Sequence, residues 1–184
     1  MDQNEEINSN YKLILDYNAL EKVVEGLYIT KRKVVVTIGT WDLLHIGHVR
    51  YLRKARNQGN VLIVGVDSDR VVKKLKGELR PVVPFSERCE MLSYQSCVDY
   101  VTVIDDIDKK GNWLYGLLKK IEPDVFVAEE QSYSQKQLTD IKKLCKKLVV
   151  LQRQAQTTST TKMIQLAVKR HLDQMYKLLE NNRK

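Results

Sequence analysis

Five short apolar runs recur along the chain, at 34–38, 61–66, 100–104, 124–128 and 148–151, each of strand length. The first two, VVVTI and VLIVGV, are rich in β-branched residues and nearly unbroken, the composition of strands buried on both faces. Between the runs lie stretches with apolar residues at helical spacing, so each strand must return to the sheet through a crossover rather than a hairpin. Such alternation folds as a doubly wound parallel sheet with right-handed connections. The expectation is an α/β chain: one Rossmann-like domain, a five-stranded parallel sheet with helices on both faces, and a long C-terminal helix.

At 184 residues the chain can hold one full core but not two. Residues 1–17 are expected to form a flexible tail and 18–184 the domain, with Asn18 and Glu21 as a capping box ahead of Leu20, Val23, Val24 and Leu27. The basic segment 70–84, RVVKKLKGELRPVVP, is punctuated by glycine and proline and reads as a mobile loop. Ser86 can cap a helix over 87–97, and Asn112 can open one through Leu114, Leu117, Leu118 and Ile121. A further helix is expected over 135–147. Ile164, Val168, Leu172, Met175 and Leu179 fall on one face of the terminal helix.

The formal net charge of +8 admits a nucleic-acid surface or a site for small polyanions. Lys136, Lys142, Lys143, Lys146 and Lys147 alternate with Leu138, Ile141 and Leu144, the pattern of a solvated helix face. No aromatic residues interleave with them to stack bases, so no nucleic-acid partner is expected. Nor is a membrane: no run approaches the ~18 apolar residues of a span. The polar, acidic opening MDQNEEINSN is unlike a secretory leader, so a cytoplasmic location is expected. Cys89, Cys97 and Cys145 form no CxxC pair and read as reduced, small core residues.

The chemistry concentrates in residues 34–56. A strand, a glycine-bearing turn (Gly39-Thr40-Trp41-Asp42) and a helix opening at His45-Ile46-Gly47-His48 aim free N–H groups and a positive helix end at one point, where a phosphate can sit. His45 and His48 are placed there as donors to phosphate oxygens, or one of them is a structural core histidine. Zinc would need a third ligand, and only His171 is left, so no protein-held metal is expected. Asp42 orients a histidine or caps the turn. Ser159-Thr160-Thr161 ahead of the last helix forms a second anion cradle or an ordinary N-cap. Lys76-Gly77 with Arg80 and Arg88 can reach over a phosphate or remain solvated. Asp67, closing the second strand, lies at the ligand edge of a parallel sheet. GxGxxG, GxxxxGK[ST] and GxSxG are all absent.

The run Gly39 to His48, GTWDLLHIGH, resembles the signature of the HxGH nucleotidyltransferases, the cytidylyltransferase-like superfamily. Ser159 to Ile164, STTKMI, resembles its second signature, and the likeness spans about residues 18–172. It implies an enzyme in which a phosphorylated metabolite attacks the α-phosphate of a nucleoside triphosphate in line, with Mg²⁺ accompanying the triphosphate and no covalent intermediate. His45, His48 and Lys76 would be catalytic. Gly39, Thr40, Trp41, Asp42, Gly47, Arg88, Ser159, Thr160 and Thr161 would bind nucleotide, and Lys76, Arg80 and Asp67 the acceptor. A homodimer is also implied.

Two branches are similar. Val64 to Asp69, Leu75-Lys76-Gly77, Arg80-Pro81-Val82, Arg88 and Val98-Asp99 resemble the adenylyltransferase domain that makes ADP-heptose, which favours AMP transfer to a sugar phosphate. The alternative is a CTP-dependent enzyme acting on glycerol-3-phosphate or a similar phosphate. That branch carries an arginine where this chain has Ser96, and RTEGIST where this chain reads Arg153 to Thr158. Ala128 to Tyr133, AEEQSY, stands where the ADP-heptose branch has Lys-Gly-Gly-Asp-Tyr, which motivates a further alternative, a non-catalytic nucleotide-binding protein.

Overall fold

A computed structural model describes residues 11–181, and in it five strands form: β1 (Val34–Gly39), β2 (Val61–Asp67), β3 (Tyr100–Ile104), β4 (Val125–Glu129) and β5 (Lys147–Leu151). All pair in parallel, in the order β3-β2-β1-β4-β5. Among the described residues seven helices connect and flank them: α1 (Tyr17–Ile29), α2 (Ile46–Arg56), α3 (Asp69–Lys76), α4 (Phe85–Ser93), α5 (Gly116–Ile121), α6 (Gln135–Lys142) and α7 (Thr160–Asn181). Alternate residues of the buried strands face opposite ways and build two cores. Val35, Leu62 and Val64 pack with Leu52 and Ala55 of α2 and Leu92 of α4. Val34, Val36, Ile63 and Phe126 pack with Leu20 of α1, Leu117 of α5 and Ile141 of α6. The helices therefore cover both faces, as the unbroken strand composition requires.

The order of strands decides where a ligand can enter. From β1 the chain steps outward to β2 and β3, then crosses back to β4 and β5 on the other side. Loops leaving β1 and β4 diverge to opposite faces, which opens a crevice at their carboxyl ends.

Several boundaries differ from expectation, each for a local reason. Residues 12–14 of the expected tail are bound to the sheet: Val101 N–H donates to Lys12 O at 2.8 Å and Ile14 N–H to Val101 O at 2.9 Å. The rest of that tail, 1–10, lies outside the described residues. Asp16, not Asn18, caps α1, its carboxylate accepting from Asn18 N–H at 3.0 Å. The segment read as a loop, 70–84, begins as α3: Ser68 caps it through Val71 N–H, and Val71 and Val72 bury their side chains. Pro84 precedes α4, which ends at Ser93 rather than 97.

Asn112 opens no helix, because Asp108 takes both its backbone and side-chain N–H groups at 2.8 Å. Asp106 satisfies the start of α5 instead, accepting from Gly116 N–H. Helix α6 stops at Lys142 instead of 147. The apolar face of α7 enters neither core; no α7 residue is buried, and Val168, Leu172, Met175 and Leu179 stay roughly half exposed. Among the described residues no helix is long and apolar enough to cross a membrane.

Candidate active site

The turn after β1 is forced into a tight path, with Trp41 and Leu43 at φ of 55° and 47°, a region that L-residues rarely occupy. That path delivers His45 to the N-cap of α2, where its Nδ1 accepts from Gly47 N–H at 3.1 Å. With Nδ1 accepting, the neutral ring carries its proton on Nε2. His48, one turn on, stacks against it at a centroid distance of 3.8 Å with 18° between planes. Gly47 permits this: a Cβ there would lie 2.9 Å from both the Ala155 Cβ and the His45 ring.

Burial, then the neighbouring His45 and Lys76, push the His48 pKa down to about 3. Burial and Arg153 also depress His45. Both imidazoles are therefore neutral at pH 7 in the free site, and His48 Nδ1 is buried with no hydrogen-bond partner among the described residues. Positive charge on this pair is stabilised only when an anion arrives beside it.

Around the histidines lies an open cavity of about 370 Å³, of the size that small-molecule sites take. Gly39, Thr40, Trp41, Asp42, His45, Gly47 and His48 line it from the β1–α2 turn, Lys76 and Arg80 from one side, and Ser159, Thr160 and Thr161 from the start of α7. Three segments far apart in the sequence thus meet at the crevice between β1 and β4. The first N–H groups of α7 have no partners within the helix, and Thr160 and Thr161, which carry two of them, line the cavity. Ser159 also serves as the N-cap, its hydroxyl accepting from Lys162 N–H at 3.2 Å.

Three expected ligand contacts take other roles. Asp42 is a strut: its fully buried carboxylate accepts from Arg80 Nε at 2.7 Å, from Val82 N–H at 3.0 Å and from Val83 N–H at 2.9 Å. Burial alone would raise its pKa, but the Val82 and Val83 N–H groups and the Arg80 guanidinium hold it below the ordinary value. Its carbonyl accepts the Thr160 hydroxyl at 2.7 Å, tying α7 to the histidine turn. Arg88 does not line the cavity. It is 1% exposed and donates to Val83 O, Thr40 O, Asp67 O and the Asp69 carboxylate. Asp67 is also absent from the lining; Thr40 Oγ1 donates to its carboxylate at 3.1 Å. Burial lowers the pKa of Lys76, and the charge of Asp67 partly offsets that.

The cavity also takes in Tyr51, and Glu129, Gln131, Ser132, Arg153 and Gln154 from the two segments whose sequences depart from the related branches, none of them assigned a role from the sequence. Those after β4 and β5 were findable from one rule, that ligands meet the carboxyl ends of parallel strands. No group of three or more His, Cys, Asp or Glu among the described residues is arranged to hold a metal ion.

This fold is Rossmann-like, with its cavity where the carboxyl ends of the parallel strands meet. The chain belongs to the cytidylyltransferase-like family, whose family model matches residues 36–175. It is 44% identical over 114 residues to the bifunctional protein HldE of Wolinella succinogenes, covering 62% of this chain and 23% of that protein. Against the protein of the same name from a Nitratiruptor species it is 40% identical over 116 residues, covering 63% and 24%. The chain thus spans about a quarter of the length of these curated relatives.

Two solved structures share the fold at lower identity. A lipopolysaccharide core biosynthesis protein from Thermoplasma volcanium superposes with a TM-score of 0.55 at 23% identity, covering 66% of this chain and 98% of that one. A pantoate-beta-alanine ligase from Francisella tularensis, complexed with beta-gamma ATP and beta-alanine, gives 0.56 at 18%, covering 78% and 67%.

Proposed function

We propose that this enzyme transfers AMP from Mg·ATP to the phosphate of a sugar phosphate and releases pyrophosphate. The observation that carries the reading is the placement of two sets of phosphate-binding groups in one cavity. His45, His48 and the α7 N-terminus form one set, and Lys76 with Arg80 the other. In the proposed reaction an acceptor phosphate oxygen, held by Lys76 and Arg80, attacks the α-phosphorus in line. The bond from that phosphorus to the β-phosphate bridge breaks, and pyrophosphate leaves against Ser159, Thr160 and Thr161. The histidines donate to the oxygens on which charge builds, so catalysis rests on positioning and preorganised donors.

Mg²⁺ is proposed to enter as part of the nucleotide substrate, offsetting the charge of the triphosphate. ATP is favoured over CTP by the likeness of the 64–69 and 75–82 segments to ADP-heptose adenylyltransferases and by Ser96. Because AEEQSY replaces that branch's loop after β4, the acceptor is proposed as a sugar phosphate without further definition.

Thermal unfolding with Mg²⁺ and ATP, CTP, GTP or UTP in turn tests the reading. A ligand at ~100 times its Kd adds ~2.7 kcal/mol, which at ~2–4 °C per kcal/mol raises the melting temperature by several degrees. A shift with ATP is expected. A shift with CTP alone would replace AMP transfer by CMP transfer to a polyol or amino-alcohol phosphate, and no shift with any of the four would overturn the reading. A homodimer is also proposed, supported by the exposed apolar face of α7. Sedimentation velocity should give twice the chain mass, and Leu172→Glu should halve it.

A further inference from the structure

A second cavity, an open groove of about 570 Å³, lies between α2 and the segment that follows β5. Arg50 and Lys54, one helical turn apart on α2, line it together with Arg153 from that segment. Gln152, Gln154 and Gln156 add amides, and no carboxylate is among the lining residues. None of the three cations forms an ion pair among the described residues, whereas Arg56, further along the same helix, is neutralised by Asp99 at 3.0 Å. A cation near a helix C-terminus is ordinary and accounts for Lys54. Arg50 stands mid-helix and Arg153 comes from a separate segment, so helix electrostatics do not account for the set. Like charges gathered in one groove repel until a counter-anion joins them.

The groove adjoins the catalytic cavity, since Arg153 and Gln154 line both. Their segment is pinned there by Ala155, which is 6% exposed and packs over Gly47. The charge of Arg153 also reaches the cavity, where it depresses the pKa of His45. Arginine binds phosphate oxygens in bidentate fashion. Side chains at i and i+4 on a helix stand ~5–6 Å apart at Cβ, so Arg50 and Lys54 can take successive phosphates of one short chain. No aromatic residue lines the groove to stack a base, which argues against a nucleic-acid strand.

We propose that this groove is a second anion site, which takes a di- or triphosphate on Arg50 and Lys54 and shares Arg153 with the catalytic cavity. The choice of anion rests on the nucleotidyltransferase reading above, in which pyrophosphate is released just beyond Thr157 of the groove wall; the groove itself does not. Calorimetric titration of the full chain at about 0.1 M ionic strength, where exposed charges are screened beyond ~10 Å, uses pyrophosphate, ATP and a single-stranded oligonucleotide in turn.

Wild-type protein is expected to bind two pyrophosphates, and the double variant Arg50→Ala/Lys54→Ala one. Each single variant should weaken the second molecule ~10-fold, the low end for a hydrogen bond to a charged group. Both side chains are exposed, so the melting temperature should match the wild type. ATP bound twice by the wild type and once by the double variant would support the site as one for a nucleotide's phosphate tail. ATP bound once by both would support it as one for the free inorganic anion. Equal pyrophosphate stoichiometry in the two proteins would overturn the proposal. So would an equal weakening of every bound molecule, the mark of general surface charge, or an oligonucleotide that displaces pyrophosphate from the groove. A single pyrophosphate in both proteins removes the groove site and leaves the nucleotidyltransferase reading standing. A pyrophosphate lost only in the double variant, in a chain that no triphosphate stabilises, does the reverse.

Discussion

His48→Ala should lower kcat by ~10²–10³ while leaving the fold intact, the loss typical when one preorganised donor to a developing oxyanion is removed. The expectation follows from how the ring is held. It is stacked on His45, packed edge-on against Trp41 at 5.5 Å and kept neutral by burial, so it pays no reorganisation when the transition state forms. Steady-state assay of pyrophosphate release checks it; a turnover number near that of the wild type would remove His48 from catalysis.

The same burial gives a second, independent readout of His48. Its folded pKa, about 3, lies below the unfolded value of ~6.5, so the unfolded chain binds the extra proton and stability rises with pH. The contribution is full above ~6.5 and is lost as pH falls toward 3. Between pH 7 and pH 5 the wild-type chain should lose about 2 kcal/mol more stability than His48→Asn in urea unfolding. Equal losses would mean that the ring is not buried neutral.

Asp42→Ala should be the most destabilising single change in the site. Removing one partner of a buried ion pair costs ~3–5 kcal/mol because the other charge is left uncompensated. Here two backbone N–H groups, of Val82 and Val83, lose their acceptor as well. The melting temperature should drop on the order of 10 °C, and activity should fall through misplacement of Arg80 rather than through a lost ligand contact. Asp42→Asn keeps an oxygen for the N–H groups and should cost less. If Asp42→Ala melts within about 1 kcal/mol of the wild type, the strut does not hold the segments together.

The sheet was largely readable from the sequence because buried strands announce themselves: β-branched runs of five or six residues have few other uses. Helix boundaries were less readable where their determinants come from elsewhere in the chain. Asp106 satisfies the start of α5 ten residues ahead of it, and Asp108 withdraws Asn112 from the role of cap. Within the site, the motifs located the histidine turn and the start of α7, which meet at the cavity. They did not separate residues that face a ligand from residues that brace the wall. Asp42 and Arg88 look like binding residues in one dimension, and only the fold reveals that their charges point inward. Glu129 and Arg153 fall in segments that depart from the related branches' motifs, so no role is assigned to them from the sequence; their placement follows from the strand order, which sets β4 beside β1 and β5 next to β4.

Trp41 gives this architecture an optical consequence. Its indole is 6% exposed, donates Nε1–H to Gly65 O at 2.9 Å and stands edge-on to His48, whereas the chain's other tryptophan, Trp113, packs against Tyr115 on the opposite face of the sheet. A neutral imidazole quenches indole emission weakly and an imidazolium strongly. With Trp113 replaced by phenylalanine, the remaining tryptophan dims when His48 gains its proton, so its emission follows the acid titration of that one buried ring.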